Sequence, residues 1–579
     1  MRSAWMDAGL MPELAADEPS AIRAGEIDLV LLNSAAGPKV FEGRCPHQGA
    51  LLAEGELQDG LLICRNHRWK FDSQSGQKQG DSSVCLKQYA CKVEEGRLWV
   101  QLKNEKAAES GKPRALRRTD QLPGPPGEFL LGNARQVKTK ELHKTLEHWE
   151  KLYGPIFTFK MVNRRFVVVS DPEIISSVLR ARPDKFRRGR KLEPIFQEMG
   201  VDGVFSAEGE AWLPQRKLAV RALSHRNLKG FYPVLHTMAN RLLSRWCKAA
   251  DTGQVLDIQA ELMRFTVDVT TMLAFGHDLN SLGDSDDKLQ RHLDPIFPLL
   301  AYRLFAIFPY WRVLRMPRDR QLDASLAALR EWLSAIISKT RARLEANPDL
   351  SENPENFLQS MLSSKDENGN HFSDERIFGN SMTMLLAGED TTANSLAWAV
   401  HHLLDSPDAL IPLLAELDEK LGRSHVPDDI ATADSLRYAT CVANETMRLR
   451  PVAPILVNEC NEPTTIGNVA VDEDSTIVLL LRPAANDDKN VPDSKSFTPS
   501  RWLDPAAPGA EQQRQVHMPF GSGPRICPGR SLAIVEMNIV LATLYKNFRV
   551  ERVGESADVT EEFSFTMIPR GLRVRLSHR

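Results

Sequence analysis

A change of texture near residue 103 constrains this chain more than any other feature. Before it, residues 20–102 break into short β-branched and aromatic runs, VLLN, GPKVFEGR, GLLICRNHRWKF and YACKVEEGRLWVQL, interrupted by Gly, Asp and Asn. Such runs read as strands joined by tight turns. From Glu141 onward apolar residues recur at helical spacing, as in LDIQAELMRFTVDVTTMLAF (256–275) and LDASLAALREWLSAIISKTRARLEA (322–346). Between the two textures, Lys103 to Gln121 nearly lacks large apolar residues and has a basic excess, the composition of an exposed linker. The following LPGPPG (122–127) reads as a stiff hinge. The chain therefore divides into a small all-β domain (1–102), a linker (103–121) and a large, mainly α domain with minor β-sheets (122–579). Within the large domain, 155–160 and 164–170 predict a hairpin, and Ser373, Asp374 and Glu375 mark the start of a long helix over 377–404.

Charge and cysteine content narrow the function. Lys+Arg 73 against Asp+Glu 76 leaves a net charge of −3, so nothing in the totals favours a nucleic-acid partner. Eight cysteines in 579 residues are too sparse for a disulfide scaffold and suit a reducing cytoplasm. The first twenty residues lack the basic and apolar regions of a leader. The richest apolar stretch, 296–314, contains Pro298, Arg303, Pro309 and Arg312, which predicts no transmembrane segment and a cytoplasmic protein.

Two constellations carry chemistry. The first is Cys45-Pro46-His47 and Cys64-Arg65-Asn66-His67, with 16 residues between the halves. Each half offers one thiolate and one imidazole on a loop between predicted strands, a donor set for a two-iron cluster. A zinc site is the alternative, but zinc fingers commonly place both cysteines in one half. The pattern, with Gly49, Trp69, Phe71 and Asp72, resembles the Rieske-type ferredoxin family. That resemblance implies a 2Fe-2S cluster held by Cys45, His47, Cys64 and His67. Ala50 and Asn66 stand where high-potential relatives carry extra cysteines, and Trp69 and Phe71 where they carry hydroxyls. Fewer hydrogen bonds to the cluster predict a potential toward the lower end of roughly −150 to +300 mV. Cys85 and Cys91 are expected to be packed strand residues.

The second is Phe520-Gly-Ser-Gly523-Pro-Arg525-Ile-Cys527-Pro-Gly529, just before a helical run. A haem iron that cleaves an O–O bond needs an anionic thiolate behind it, and a glycine-rich loop at a helix start stabilises one. The segment matches F-x-x-G-x-R-x-C-x-G and resembles the cytochrome P450 family over about 122–579. The resemblance implies haem b ligated by Cys527, with Phe520 beside it. It also implies that Glu445, Arg448 and Arg501 support the Cys loop, and that Trp212, Arg216 and Arg525 hold the haem propionates. Val457 and Asn458 stand where many relatives carry a basic propionate contact, which leaves that set incomplete. Ala387-Gly388-Glu389-Asp390-Thr391 resembles the distal A-G-x-D/E-T. It implies proton delivery by Asp390 and Thr391, dioxygen room at Gly388, and a structural Glu389.

By the same resemblance Val452–Leu456, Met567–Ile568 and the Phe297–Trp311 region line the distal cavity. Their apolar character suits a hydrophobic or amphipathic small molecule. No flavin- or nicotinamide-binding segment is visible, so an external NAD(P)H-dependent flavin reductase is expected to feed the cluster. Arg44, Arg65, Arg68 and Lys70 are expected to face an acidic patch on it. The cluster would pass single electrons to haem for O2-dependent hydroxylation or epoxidation. A peroxide-driven peroxygenase, a haem isomerase and a non-catalytic redox or gas sensor are the alternatives.

Overall fold

A computed structural model describes residues 4–579, except 11–17, 25–26, 35–36, 47–49, 66–67, 95, 103–115, 284–287, 307, 366–368 and 505–506. In the small domain the described strands form three antiparallel sheets. The strand Ile27–Ser34 shows why a continuous apolar run fits here. Its alternate residues pack to opposite sides, Val30 and Leu32 with Phe41 in one cluster, Leu29 and Leu31 with Val40 in another. A five-stranded meander from Glu56–Gln58 to Asp81–Cys85 carries the metal-loop region. Cys85 is exposed and Cys91 half-buried, so Cys85 departs from the packed position expected of it. It lies at the end of the meander's last strand, on its open edge.

Five helices frame the site in the large domain: α1 (Trp212–Ala222), α2 (Ile258–Phe275), α3 (Asp374–Asp405), α4 (Arg437–Leu449) and α5 (Arg530–Asn547). The long α3 begins where Ser373 accepts a hydrogen bond from the Arg376 N–H at 3.3 Å, and it stops two residues before Pro407. Most of its length is buried, and α2 packs along it. The predicted hairpin is Ile156–Met161 with Arg164–Val169. It opens a five-stranded sheet that continues through Thr476–Leu480, Ile455–Cys460 and Phe186–Arg188.

The linker and hinge read differently in three dimensions. Arg117–Arg118 pairs in parallel with Val469–Ala470, Leu122 is buried, and the Thr158 N–H donates to the Pro123 carbonyl at 2.9 Å. Gly124 lies so close that a Cβ would strike the Thr158 carbonyl. Backbone pairing is indifferent to side-chain polarity, so a polar segment is bound to the large domain from residue 117 onward. The expected linker residues 103–115 lie outside the described residues. Among the described residues no helix is long and apolar enough to cross a membrane.

Candidate iron centres and active site

Cys45 and Cys64 stand at the necks of two loops of the small domain, each closed by a backbone hydrogen bond. The Cys45 N–H donates to Ala50 and the Cys64 N–H to Trp69, both at 2.8 Å. Both thiols are buried in the cluster of Leu52, Leu62 and Phe71, and neither forms a disulfide. Arg180 is within electrostatic reach of Cys45, and Arg65 and Arg530 of Cys64. Buried thiols that face cations are suited to bind as thiolates, so these two fit a cluster. His47 and His67 lie outside the described residues.

Cys527 is exposed at the end of a turn in which its N–H donates to the Phe520 carbonyl at 2.9 Å. Gly523 adopts φ 72° where a Cβ would strike the Leu179 carbonyl, so the loop requires glycine there. Beside the loop one carboxylate meets two guanidinium groups and one backbone N–H. Glu208 accepts from Arg525 Nη2 at 2.6 Å and from the Arg188 N–H at 3.0 Å, with Arg182 at 3.9 Å. Nε and Nη1 of Arg525, Nε and Nη2 of Arg182 and Nε of Arg188 are buried without a hydrogen-bond partner. Burial pushes the Arg525 pKa down to about 9 despite Glu208. Both side-chain atoms of Asn458, 1% exposed, also lack partners. Arg182, Arg188 and Arg525 all lie within electrostatic reach of the one Glu208 carboxylate, and the two propionates of haem b would balance the remaining positive charge while satisfying these atoms. The residues fit the group. Arg182, Arg188 and Asn458 would extend the propionate set beyond the sequence motifs, and no spacing pattern marks them.

Trp212 is buried with its ring 4.3 Å from the Arg525 guanidinium, as a platform for it. Arg216 corrects the expectation placed on it. Its Nε and Nη2 each donate to the Glu54 carboxylate at 2.8 Å, and its Nη1 to the Ile526 carbonyl at 2.7 Å. A bidentate carboxylate from the small domain takes the fork expected to face a propionate. Arg65 and Arg44 also depart from a reductase-facing role. Arg65 donates to the Pro528 carbonyl, and Arg44 to the Arg180 carbonyl. Arg68 pairs with Glu56 at 3.0 Å and stays half exposed, and Lys70 is exposed.

Glu445, Arg448 and Arg501 come together. Arg448 Nε and Nη2 donate to Glu445 at 2.9 and 2.7 Å, Arg501 Nε at 3.0 Å, and Trp502 Nε1 at 2.9 Å. Arg448 Nη1 donates to the Ala485 carbonyl at 2.8 Å. Glu445 and Arg448 are fully buried, so the i,i+3 spacing on α4 is the core of a saturated polar network.

On α3, the helical period sends adjacent residues to different surroundings. Ala387 is exposed and Thr391, one turn on, is half-buried beside it, its hydroxyl donating to the Ala387 carbonyl at 3.0 Å. Asp390 is buried, accepting from Asn394 at 2.9 Å and from Thr566, and burial raises its pKa. Gly388 faces α2. A Cβ there would strike the hydroxyl of Thr270 on α2, so the glycine permits the close crossing of two helices. Glu389 points instead to the helix Lys288–Leu293, accepting from Gln290 at 2.6 Å, and its pKa is raised by burial.

The expected cavity segments meet only in part. The Met567 N–H donates to the Val452 carbonyl at 2.8 Å, and Phe297 stacks on Phe565 at 5.0 Å. Phe205 meets Phe565 edge-on at 6.1 Å and carries the Arg188 guanidinium 3.7 Å above its ring. The far end of the Phe297–Trp311 region turns away, with Phe308 exposed and Trp311 bonded to Glu198 at 2.9 Å. Phe205 and Phe565 are aromatic contacts that motif reading passes over.

This geometry fits a haem-thiolate enzyme with an iron–sulfur domain beside its Cys527 loop. The comparisons agree. The family model described as Cytochrome P450 matches residues 122–576, and that described as Rieske [2Fe-2S] domain matches residues 4–90. The chain is 27% identical to the carotene epsilon-monooxygenase of Arabidopsis thaliana over 493 residues, 83% of this chain and 87% of that protein. It is 25% identical to a bifunctional cytochrome P450/NADPH–P450 reductase of Bacillus subtilis over 473 residues, 79% of this chain and 43% of that protein. It is 26% identical to the carnosic acid synthase of Rosmarinus officinalis over 458 residues, 76% of this chain and 90% of that protein. The chain belongs to the cytochrome P450 family and is a P450 monooxygenase with an N-terminal Rieske domain, holding haem and a 2Fe-2S cluster.

Proposed function

We propose that the chain hydroxylates or epoxidises a mostly apolar small molecule, drawing electrons through its own Rieske domain from an external NAD(P)H-dependent flavin reductase. The observation that carries this reading is the bond from Arg65, next to Cys64, to the carbonyl of Pro528, next to Cys527. When bound, haem supplies the oxygen-activating chemistry and the cluster supplies single electrons.

The protein's own residues do the rest. Cys527 anchors haem, and the Glu445–Arg448–Arg501 network holds the segment behind it. The guanidinium set with Asn458 fixes the propionates. Thr391 presents its hydroxyl on the open face of α3, and Asp390, buried beside it in the chain and bonded to Asn394 and Thr566, is the carboxyl for proton delivery, its pKa raised by burial. Aromatic walls at Phe205, Phe297 and Phe565 exclude water and favour apolar partners. All eight cysteines are free, which suits a reducing, cytoplasmic setting.

Turnover with NADPH and a surrogate reductase, abolished by Cys45→Ser, is the expected result. Turnover with peroxide alone, unchanged by Cys45→Ser and unmatched by the NADPH system, would select the peroxygenase reading instead.

A further inference from the structure

We propose that the small domain is a resident electron donor, latched over the Cys527 loop by Glu54 and connected to it through Arg65. This rests on the electron-transfer reading above and names the surface and residues that carry it.

Glu54 side-chain exposure is 11% and that of its partner Arg216 is 3%, so the bidentate pair between the domains is shielded from water and salt. Arg65, at 10%, adds a second cation 3.7 Å from the same carboxylate. Ion pairs at this depth fix a register, and removing one partner leaves a buried charge uncompensated. The latch is also tied rigidly to the metal loop. Gly55 follows Glu54 and lies so close to the Ile63 carbonyl that a Cβ would strike it, which holds the Glu54 turn against the strand that leads into Cys64.

Arg65 completes a short route. From Cys64 the route runs through one peptide bond, the Arg65 side chain and one hydrogen bond to Pro528, which is bonded to Cys527. Arg65 lies within electrostatic reach of both cysteines. A second seam stops the small domain from pivoting: Arg23 pairs with Asp184 at 2.9 Å, and Arg44 donates to the Arg180 carbonyl. With both seams closed, the surface beside Cys527 is already occupied. An external flavoprotein then delivers electrons to the outer side of the small domain. The step moves one electron, the reduced cluster returning to its diferric form as ferric haem becomes ferrous, and no proton or bond is exchanged. Glu54 and Arg65 are positioning residues in it.

The test uses the full-length holoprotein under CO, with the cluster reduced by a deazaflavin flash and the ferrous–CO band followed in time. Glu54→Arg and Arg65→Gln should slow cluster-to-haem transfer by about tenfold or more, while Glu54→Asp stays within about threefold of wild type. The cluster EPR signal and the final ferrous–CO amplitude with excess dithionite should not change. Added free ferredoxin should accelerate haem reduction in Glu54→Arg and leave the wild type unaffected. Wild-type rates in Glu54→Arg would overturn the latch, and wild-type rates in Arg65→Gln would overturn the bridge. Should a variant lose its cofactors, amide exchange in the wild type decides: protection across 51–65 and 525–530 supports the latched pose, and exchange as fast as in exposed loops overturns it. Absence of transfer in the wild type as well would overturn the function reading and this inference with it.

Discussion

Arg216 shows how a side chain is reassigned by a neighbour that its own motif does not contain. The Trp212/Arg216 spacing puts both residues on one helix face, and that much is legible in the sequence. What the fork grips is decided by Glu54, 162 positions away, and no local pattern announces that carboxylate. Asn458 is the converse case. It appears in the sequence as a missing cation, whereas its two orphaned polar atoms make it a candidate propionate partner. Glu536 on α5 is a residue that the motif reading leaves out. It is fully buried, bonded to Thr392, with one oxygen unpartnered, and burial pushes its pKa up from 4.5 to about 8. A raised carboxyl pKa means the folded state holds a proton that the unfolded state releases. Stability is therefore intact below pH 4.5 and is lost as pH rises toward 8. Glu536→Gln removes that loss, so the difference between its melting temperature and that of the wild type should grow in its favour from pH 5 to about pH 8 and then level off. The ceiling is about 4–5 kcal/mol. A difference constant with pH in thermal melts would contradict the titration.

At the scale of elements, periodicity was enough for helix existence and insufficient for facing. The Ser373 start and the length of α3 follow from capping and apolar spacing. Which neighbour each of residues 387–391 meets depends on where α2 crosses, and so Gly388 belongs to a helix contact. The same limit governs Phe297–Trp311, where Phe297 joins the aromatic wall, Phe308 faces solvent and Trp311 is buried against Glu198. The E-x-x-R spacing on α4 is the opposite case, because the pair alone reads as a surface ion pair and only burial gives it weight. Glu445→Ala leaves Arg448 and Arg501 facing each other without their carboxylate in a buried setting. It should lower unfolding free energy by about 3–5 kcal/mol and increase haem loss, measured by urea titration and by haem transfer to apomyoglobin. A change near the value for an exposed pair, under about 1 kcal/mol, would show that the network is dispensable.

The whole molecule is where the sequence was least informative. Its two textures mark two domains, and two motifs mark two cofactors, because ligand chemistry demands particular residues at particular spacing. How the domains meet depends on Glu54, Arg23, Asp184 and the Pro528 carbonyl, groups that look ordinary in one dimension. The polar segment from residue 117 onward likewise gives no sign of its strand pairing with Val469–Ala470. A tether that ends there shortens the free span and raises the effective concentration of the small domain at the thiolate loop. The most direct test of the account is flash reduction of the intact chain at several protein concentrations under CO. The account predicts that the cluster signal decays as the ferrous–CO band grows, at one rate that does not change with concentration. A rate proportional to protein concentration, or a cluster that stays reduced while haem remains ferric, would contradict it.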